Sequence, residues 1–165
     1  MVALRALRDD DDEFLFRVYS STREQELAPV GWEPAQLEAF LRMQHRAQHS
    51  HYWRHYDTRG FSVVTCDGAD AGRLYLHRGA SALSIVDIAL LPEYRGRGIG
   101  GMLLSRVAAE ADEAGLPITI HVERENPARH LYLRHGFVFR DDATEHPVYR
   151  LMERPPRGRE AGQAA

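Results

Sequence analysis

Between an apolar run and a helical one, residues 92 to 101 read Pro-Glu-Tyr-Arg-Gly-Arg-Gly-Ile-Gly-Gly. Gly96, Gly98, Gly100 and Gly101 open backbone conformations closed to other residues and let a ligand come close. A helix that starts here leaves its first N–H groups without intrahelical partners. Those groups, the positive end of the helix dipole and the side chains of Arg95 and Arg97 suit an anion, and a pyrophosphate above others. The apolar face Ile99, Leu103, Val107 marks the helix that follows, and Ile85 to Leu91 reads as a buried strand before the turn.

Other residues carry chemistry in principle. Asp87 stands inside that apolar strand, where a carboxylate needs partners; a structural hydrogen-bond role outweighs a catalytic one. His45 and His49, like His51 and His55, are one helical turn apart and could share a metal. No acidic third ligand follows on the same face and there is no H-E-x-x-H pattern, so no metal is expected. Cys66 cannot form an internal disulfide and reads as a small buried apolar residue.

The elements that position these residues follow from periodicity and punctuation. A short strand over Val2 to Arg8 precedes Asp9 to Asp12, which supply N-cap candidates for a helix of about Asp11 to Ser21. Pro29 and Gly31 break the segment 20 to 32. A long second helix runs from Glu33 or Pro34 to about Tyr56, with Leu37, Phe40, Leu41, Gln44 and Ala47 on one stripe. Strands follow at Phe61 to Cys66, at Gly72 to His77 after the turn Asp67-Gly68, and at Leu83 to Leu91. After the central helix, Gly115 and Pro117 stop the chain before a strand at Ile118 to Glu123. Asn126-Pro127 then opens a short helix that Gly136 ends, and strands at Phe137 to Arg140 and Val148 to Glu153 close the order.

With 165 residues the chain is expected to form one α/β domain over 1–154, a mixed and mostly antiparallel sheet flanked by helices, with a disordered tail over 155–165. A net charge of −3 and no basic patch with interleaved aromatics argue against nucleic acid as a partner. No apolar run reaches membrane-spanning length and the N-terminal stretch turns acidic at once, so no membrane association and a cytoplasmic location are expected. All 21 basic residues are arginine, the usage of a GC-rich bacterial genome.

The stretch Arg95-Gly-Arg-Gly-Ile-Gly100 has the form Q/R-x-x-G-x-G/A, preceded by an apolar strand and Pro-Glu-Tyr. Downstream, after an intervening strand, lies Asn126-Pro-Ala-Arg-His-Leu-Tyr132-Leu-Arg-His-Gly136-Phe137. Together these resemble the GCN5-related N-acetyltransferase (GNAT) superfamily, and the element order agrees over about residues 2 to 153. The glycine turn alone would be a weak signal; its conjunction with the Asn, Tyr and Gly-Phe positions is specific.

The resemblance implies acetyl-CoA as co-substrate, held in a cleft where the central strand splays from a parallel neighbour. It implies that the backbone of Ile88, Ala89 and Leu90 pairs with the pantetheine arm like an added strand. It further implies that Arg95, Gly96, Arg97, Gly98, Ile99, Gly100 and Gly101 carry the pyrophosphate and that Asn126 meets the pantetheine region, whether or not it also caps its helix. Tyr132 would lie near the thioester sulfur and protonate the leaving thiolate, a role a phenol can fill. A backbone N–H of the central strand would steady the oxyanion. His121 stands where some members carry a catalytic carboxylate and is the favoured base, with Glu123 and Asp87 as alternatives.

The acceptor in this superfamily is set by the two N-terminal helices, their loop and the last strands. Glu24 and Glu26 could attract a cationic amine, and Tyr19, Trp32, Tyr52 and Tyr149 could wall it. A small amine or amino-acid-like metabolite is expected rather than a protein, and homodimers are common among members. Two other readings differ in class. A dinucleotide-binding oxidoreductase would need G-x-G-x-x-G directly after a first strand, which is not the spacing here. An acetyl-CoA-binding sensor without transfer activity is opposed by Tyr132.

Overall fold

The computed structural model describes residues 1–140 and 146–158. Its strands hydrogen-bond in the order β1-β2-β3-β4-β5-β7-β6, a seven-stranded, mostly antiparallel sheet with one parallel pair, and four α-helices accompany it. This is the mixed, mainly antiparallel architecture expected from the sequence. The chain forms two compact units, one of Met1–His77 with Asp87–Arg95, the other of Arg78–Val86 and the residues from Gly96 on.

In the first unit, β1 (Val2–Ala6) pairs antiparallel with β2 (Phe61–Cys66), and β2 with β3 (Ala69–Arg78). The β2–β3 turn places Asp67 and Gly68 at φ 50° and 84°, the two left-handed residues that a tight hairpin of this twist requires. Helix α1 (Asp12–Leu27) is tied to β1 by Arg5, whose guanidinium bridges Asp11 at 2.8 Å and Asp70 at 2.7 Å. Those bonds, and a further one from the Arg8 N–H, hold the Asp11 carboxyl below its ordinary range.

α1 continues beyond the expected end at Ser21. Nothing in Ser21-Thr-Arg-Glu-Gln-Glu-Leu27 breaks a helix, and the hydroxyls of Ser21 and Thr22 fold back onto the carbonyls of Val18 and Tyr19 at 2.7 Å. Pro29 then sits in the single 3₁₀ turn Ala28–Val30, and left-handed Gly31 closes it. Helix α2 (Pro34–His55) starts at its proline, as the sequence predicts.

Phe16, Tyr19 and Leu41 form the core between α1 and α2, and His45 is buried with them, its ring 5.8 Å from that of Phe16 and 5.4 Å from that of Tyr19. His49 stacks on Trp53 at 3.7 Å, so this side of the histidine stripe packs against rings. Among the described residues no three His, Cys, Asp or Glu side chains gather as around a metal ion. Cys66 is buried in β2.

The second unit holds the first half of β4 (Leu83–Leu90), helix α3 (Ile99–Ala114), β5 (Ile118–Glu123), helix α4 (Arg129–Arg134), β6 (Val138–Phe139) and β7 (Tyr149–Arg154). β4 runs parallel to β5 over Leu83↔Ile118 to Ile85↔Ile120, β7 pairs antiparallel with β5 along its whole length, and β6 adds to β7. Ile99, Leu103, Leu104, Val107 and Ala111 of α3 are buried, as are Ile118, Ile120, Val122, Phe137 and Met152. α3 ends on left-handed Gly115, as expected of a helix-stopping glycine.

Arg154, at the end of β7, grips Asp112 of α3 through two bonds of 2.8 and 2.9 Å and holds that carboxyl down at about 2. Residues 159 to 165 of the C-terminal tail lie outside the described residues; within its first part, Arg157 donates its backbone N–H to Asp112 Oδ1 at 2.8 Å. No helix among the described residues is long and apolar enough to cross a membrane.

Burial pushes the His45 imidazole from its ordinary value of 6.5 down to about 4, with Arg73 and His49 adding repulsion. The folded chain therefore keeps this ring neutral while the unfolded chain protonates it below about pH 6.5. Stability from this group is complete above that pH and is lost as pH falls toward 4. The expected outcome is a melting temperature that drops by several degrees on acidification from pH 6.5 to 4.5, and a shallower slope in His45→Phe, with a loss on the order of 1 to 2 kcal/mol assigned to the ring. Thermal melts across that range check it.

Candidate functional site

The glycine turn read from the sequence enters the second unit at Gly96. Gly96 and Gly98 adopt left-handed φ of 69° and 78°, which turns the chain sharply into α3. Gly98 is the N-cap and offers no side chain; the first N–H to find an intrahelical acceptor is that of Met102, on Gly98 O at 3.1 Å. The amides of Ile99, Gly100 and Gly101 are the orphan donors of the first turn. The Ile99 side chain is buried and anchors the turn, while Arg97 is exposed.

Gly100 and Gly101 also have a packing task. A Cβ at Gly100 would lie 3.1 Å from Leu131 Cδ2, and one at Gly101 would lie 3.3 Å from His135 Nε2. Leu131 and His135 lie on either side of Tyr132 in the chain, so the segment carrying Tyr132 docks on the first turn of α3 across these two glycines. Burial, then Arg134 and Arg154, hold the His135 imidazole below its usual value.

Tyr132 itself is buried, its ring 5.8 Å from Phe137 at an interplanar angle of 60°. Asn126 Oδ1 accepts the Ala128 N–H at 2.9 Å, so Asn126 makes the turn before α4, and the helix proper begins later and is shorter than Asn126-Pro127 suggested. His121 and Glu123 point to the exposed face of β5, opposite buried Ile120 and Val122.

The first unit carries the other residues. Ile88, Ala89 and Leu90 are half-buried at the end of β4. The Arg95 guanidinium is engaged close by: its Nε donates to Leu90 O at 2.9 Å, and its Nη2 reaches Ser21 O and Oγ at 3.3 and 3.2 Å. Asp87 accepts from Arg73 Nη2 at 2.7 Å and from the Tyr52 hydroxyl at 3.4 Å. Arg73 is buried, with Gln48 Oε1 as a second acceptor at 2.9 Å and the Tyr75 ring 5.1 Å away, and its Nε has no acceptor among the described residues. Burial lifts the Tyr75 phenol to about 12.

Sequence reasoning missed Arg73 and Gln48: alternation along Gly72-Arg-Leu-Tyr-Leu-His77 sets Arg73 opposite the leucines, and only the structure shows both faces of this strand buried. Tyr52 joins this network through its hydroxyl. A groove of about 360 Å³ between α1, α2 and the turn after β4 is lined by Glu24, Glu13, Glu38 and Glu93, with Phe16 and Leu91 beneath. Arg17 pairs with Glu93 and Arg42 with Glu13 and Glu38; Glu26 pairs with Arg23 outside it.

With the turn, strand and helix in place, comparison with known proteins gives a consistent result. The family model for the acetyltransferase (GNAT) domain matches residues 48–139, and the chain belongs to that family. Streptothricin acetyltransferase of Streptomyces lavendulae is 39% identical over 87 residues, which make up 50% of this chain and 46% of that protein, so the chain matches less than half the length of this relative. PaiA N-acetyltransferase of Thermoplasma acidophilum, solved in complex with coenzyme A, superposes with a TM-score of 0.69 at 20% identity, covering 94% of this chain and 99% of that one. The ribosomal-protein-S18-alanine N-acetyltransferase of Escherichia coli superposes with a TM-score of 0.59 at 19% identity and covers 98% of each chain. At such identities these two structures speak for the fold alone.

Asp87 is the only carboxylate within reach of Arg73 among the described ion pairs, and Arg73 is almost wholly buried. Asp87→Asn removes the compensating charge and should cost roughly 3 kcal/mol of unfolding free energy, the range for breaking a buried pair. Urea unfolding of the variant against the parent chain checks this; a loss below about 1 kcal/mol would mean that the pair is hydrated and weak.

Proposed function

We propose that this chain transfers the acetyl group of acetyl-CoA directly to the amine of a small acceptor. The observation that carries the reading is the uncapped first turn of α3 behind left-handed Gly98, inside the segment that matches the family model. Three consecutive amides at a helix start, with no side chain in competition, suit a pyrophosphate. The complexed coenzyme A of the PaiA structure and the name of the streptothricin enzyme support the same donor chemistry and a small-molecule acceptor.

On this reading the acceptor must attack as a neutral amine, and the ammonium proton goes to His121 directly or through water. The nitrogen then adds to the thioester carbonyl, and a backbone N–H of β4 stabilises the oxyanion. Collapse breaks the carbon–sulfur bond and the thiolate takes a proton from Tyr132, while the proton that the acylated nitrogen loses passes through water to the phenolate and restores it. Ile88 to Leu90 pair with the pantetheine arm and Asn126 with its amides. The contacts of Arg95 with Leu90 O and Ser21 give its side chain the task of holding the end of β4, with the amides of residues 99 to 101 facing the phosphates.

Thiol release from acetyl-CoA over a panel of amines, streptothricin among them, tests the activity. At least one small amine should give turnover, and tight acetyl-CoA binding with no turnover by any acceptor would replace transfer by sensing. Gly98→Val forces a β-branched residue to φ 78° and should weaken acetyl-CoA binding by about tenfold or more in calorimetric titration. Tyr132→Phe should lower kcat by roughly 10²-fold with little change in acetyl-CoA affinity; an unchanged kcat removes Tyr132 from the mechanism.

A further inference from the structure

Gly72 sits in the interior of β3, where a glycine weakens a strand and has to be explained by what comes close to it. A Cβ at this position would stand 2.2 Å from Ala89 O, 2.9 Å from Leu90 Cδ2 and 3.0 Å from Leu90 Cα. The first and third of these are backbone atoms, so no rotamer change relieves the clash. In a regular pleat the Cβ rises out of the sheet while the neighbouring strand's carbonyls lie within it. The Ala89 oxygen has therefore turned out of the ladder and leans into the space that Gly72 leaves empty.

The consequence passes along the peptide unit. The carbonyl of Ala89 and the N–H of Leu90 belong to one rigid plane and point in opposite directions. With the oxygen turned onto β3, the Leu90 N–H is directed away from β3. The next peptide has the opposite sense: the Leu91 N–H bonds Ala71 O at 2.9 Å, and the Leu90 carbonyl, facing away from β3, is taken by Arg95 Nε at 2.9 Å. Of the three residues expected to pair with the donor, Ala89 thus turns its carbonyl toward β3. At Leu90 the carbonyl is taken by Arg95, and the N–H is the backbone group that this peptide geometry directs away from β3.

We infer that Gly72 is a positioning residue of the donor site: by having no side chain it sets the tilt of the Ala89–Leu90 peptide and aims the Leu90 N–H at an amide carbonyl of the pantetheine arm. The inference rests on the acetyl-CoA reading above. It adds a residue on a neighbouring strand that touches no ligand and acts through the backbone of β4.

The test has three arms. Gly72→Ala should bind acetyl-CoA about tenfold or more weakly in calorimetric titration while remaining folded by circular dichroism. Adding Leu90→Ala to that variant removes the 2.9 Å side-chain contact and leaves the carbonyl contact, so affinity should not recover. Recovery would mean that Gly72 only makes room for a side chain, and an unchanged affinity in Gly72→Ala would equally overturn the proposal. On the unmodified chain, amide hydrogen exchange by NMR should show the Leu90 amide exchanging freely alone and protected by saturating coenzyme A, with the Leu91 amide protected in both states.

That last arm stands even where Gly72→Ala does not fold, and a Leu90 amide indifferent to coenzyme A would refute the assignment. Failure of the unmodified chain to bind acetyl-CoA at all would instead bring down the donor reading, and the two failures are told apart by the unmodified chain.

Discussion

The end of β4 depends on how its edge toward β3 is held. Its backbone alternates: Ala89 and Leu91 face β3, and Leu90 faces away. Everything around the end of the strand fixes that alternation. Ala71 takes the Leu91 amide, Gly72 admits the Ala89 carbonyl, Arg95 caps the Leu90 carbonyl and leans on Ser21 of α1, and Arg73 clamps Asp87 one turn of the pleat earlier. Each contact is local, and none needs a ligand.

The polar cost of this arrangement is concentrated in one place. Arg73 and Asp87 form a buried ion pair, with the Gln48 amide and Tyr52 hydroxyl as further partners from α2. Such a pair contributes little net stability compared with apolar packing, yet it restricts how α2 and β4 can be assembled, because any other register strands a charge. Around it the first unit is lined with rings: Phe61 on Tyr75 at 4.2 Å, Trp53 edge-on to both, and Tyr56 against His77. The histidines of α2 belong to this ring system.

The element order was legible because each element carries its own punctuation. Pro34 opens α2, Asp67-Gly68 turns β2 into β3, and Gly115 ends α3, each by a backbone preference that tertiary context did not override. The length of α1 was not, since Ser21 to Leu27 lack both a breaker and an apolar stripe and are helical because hydroxyls and packing allow it. The glycine turn was readable, although of the four glycines read alike only Gly96 and Gly98 are left-handed. The partners of Arg95 were not: its guanidinium meets Leu90 O and Ser21 of α1, which only the fold brings beside it. Arg73, Gln48 and Asp87 come from three separate segments, and only the fold brings them together.

β7 lies between β5 and β6 in the sheet, although it is the last strand among the described residues. During synthesis β6 therefore leaves the ribosome with no neighbour, and both it and the free edge of β5 wait for residues 149 to 154. The Arg154–Asp112 clasp, at the end of the same strand, joins late for the same reason. The second unit cannot reach its final pairing until almost all of the described chain has emerged, whereas β1, β2 and β3 can zip together long before. Growth of the protein is thus polarised in time, with the glycine turn at 96–101 made before the strand that completes its unit.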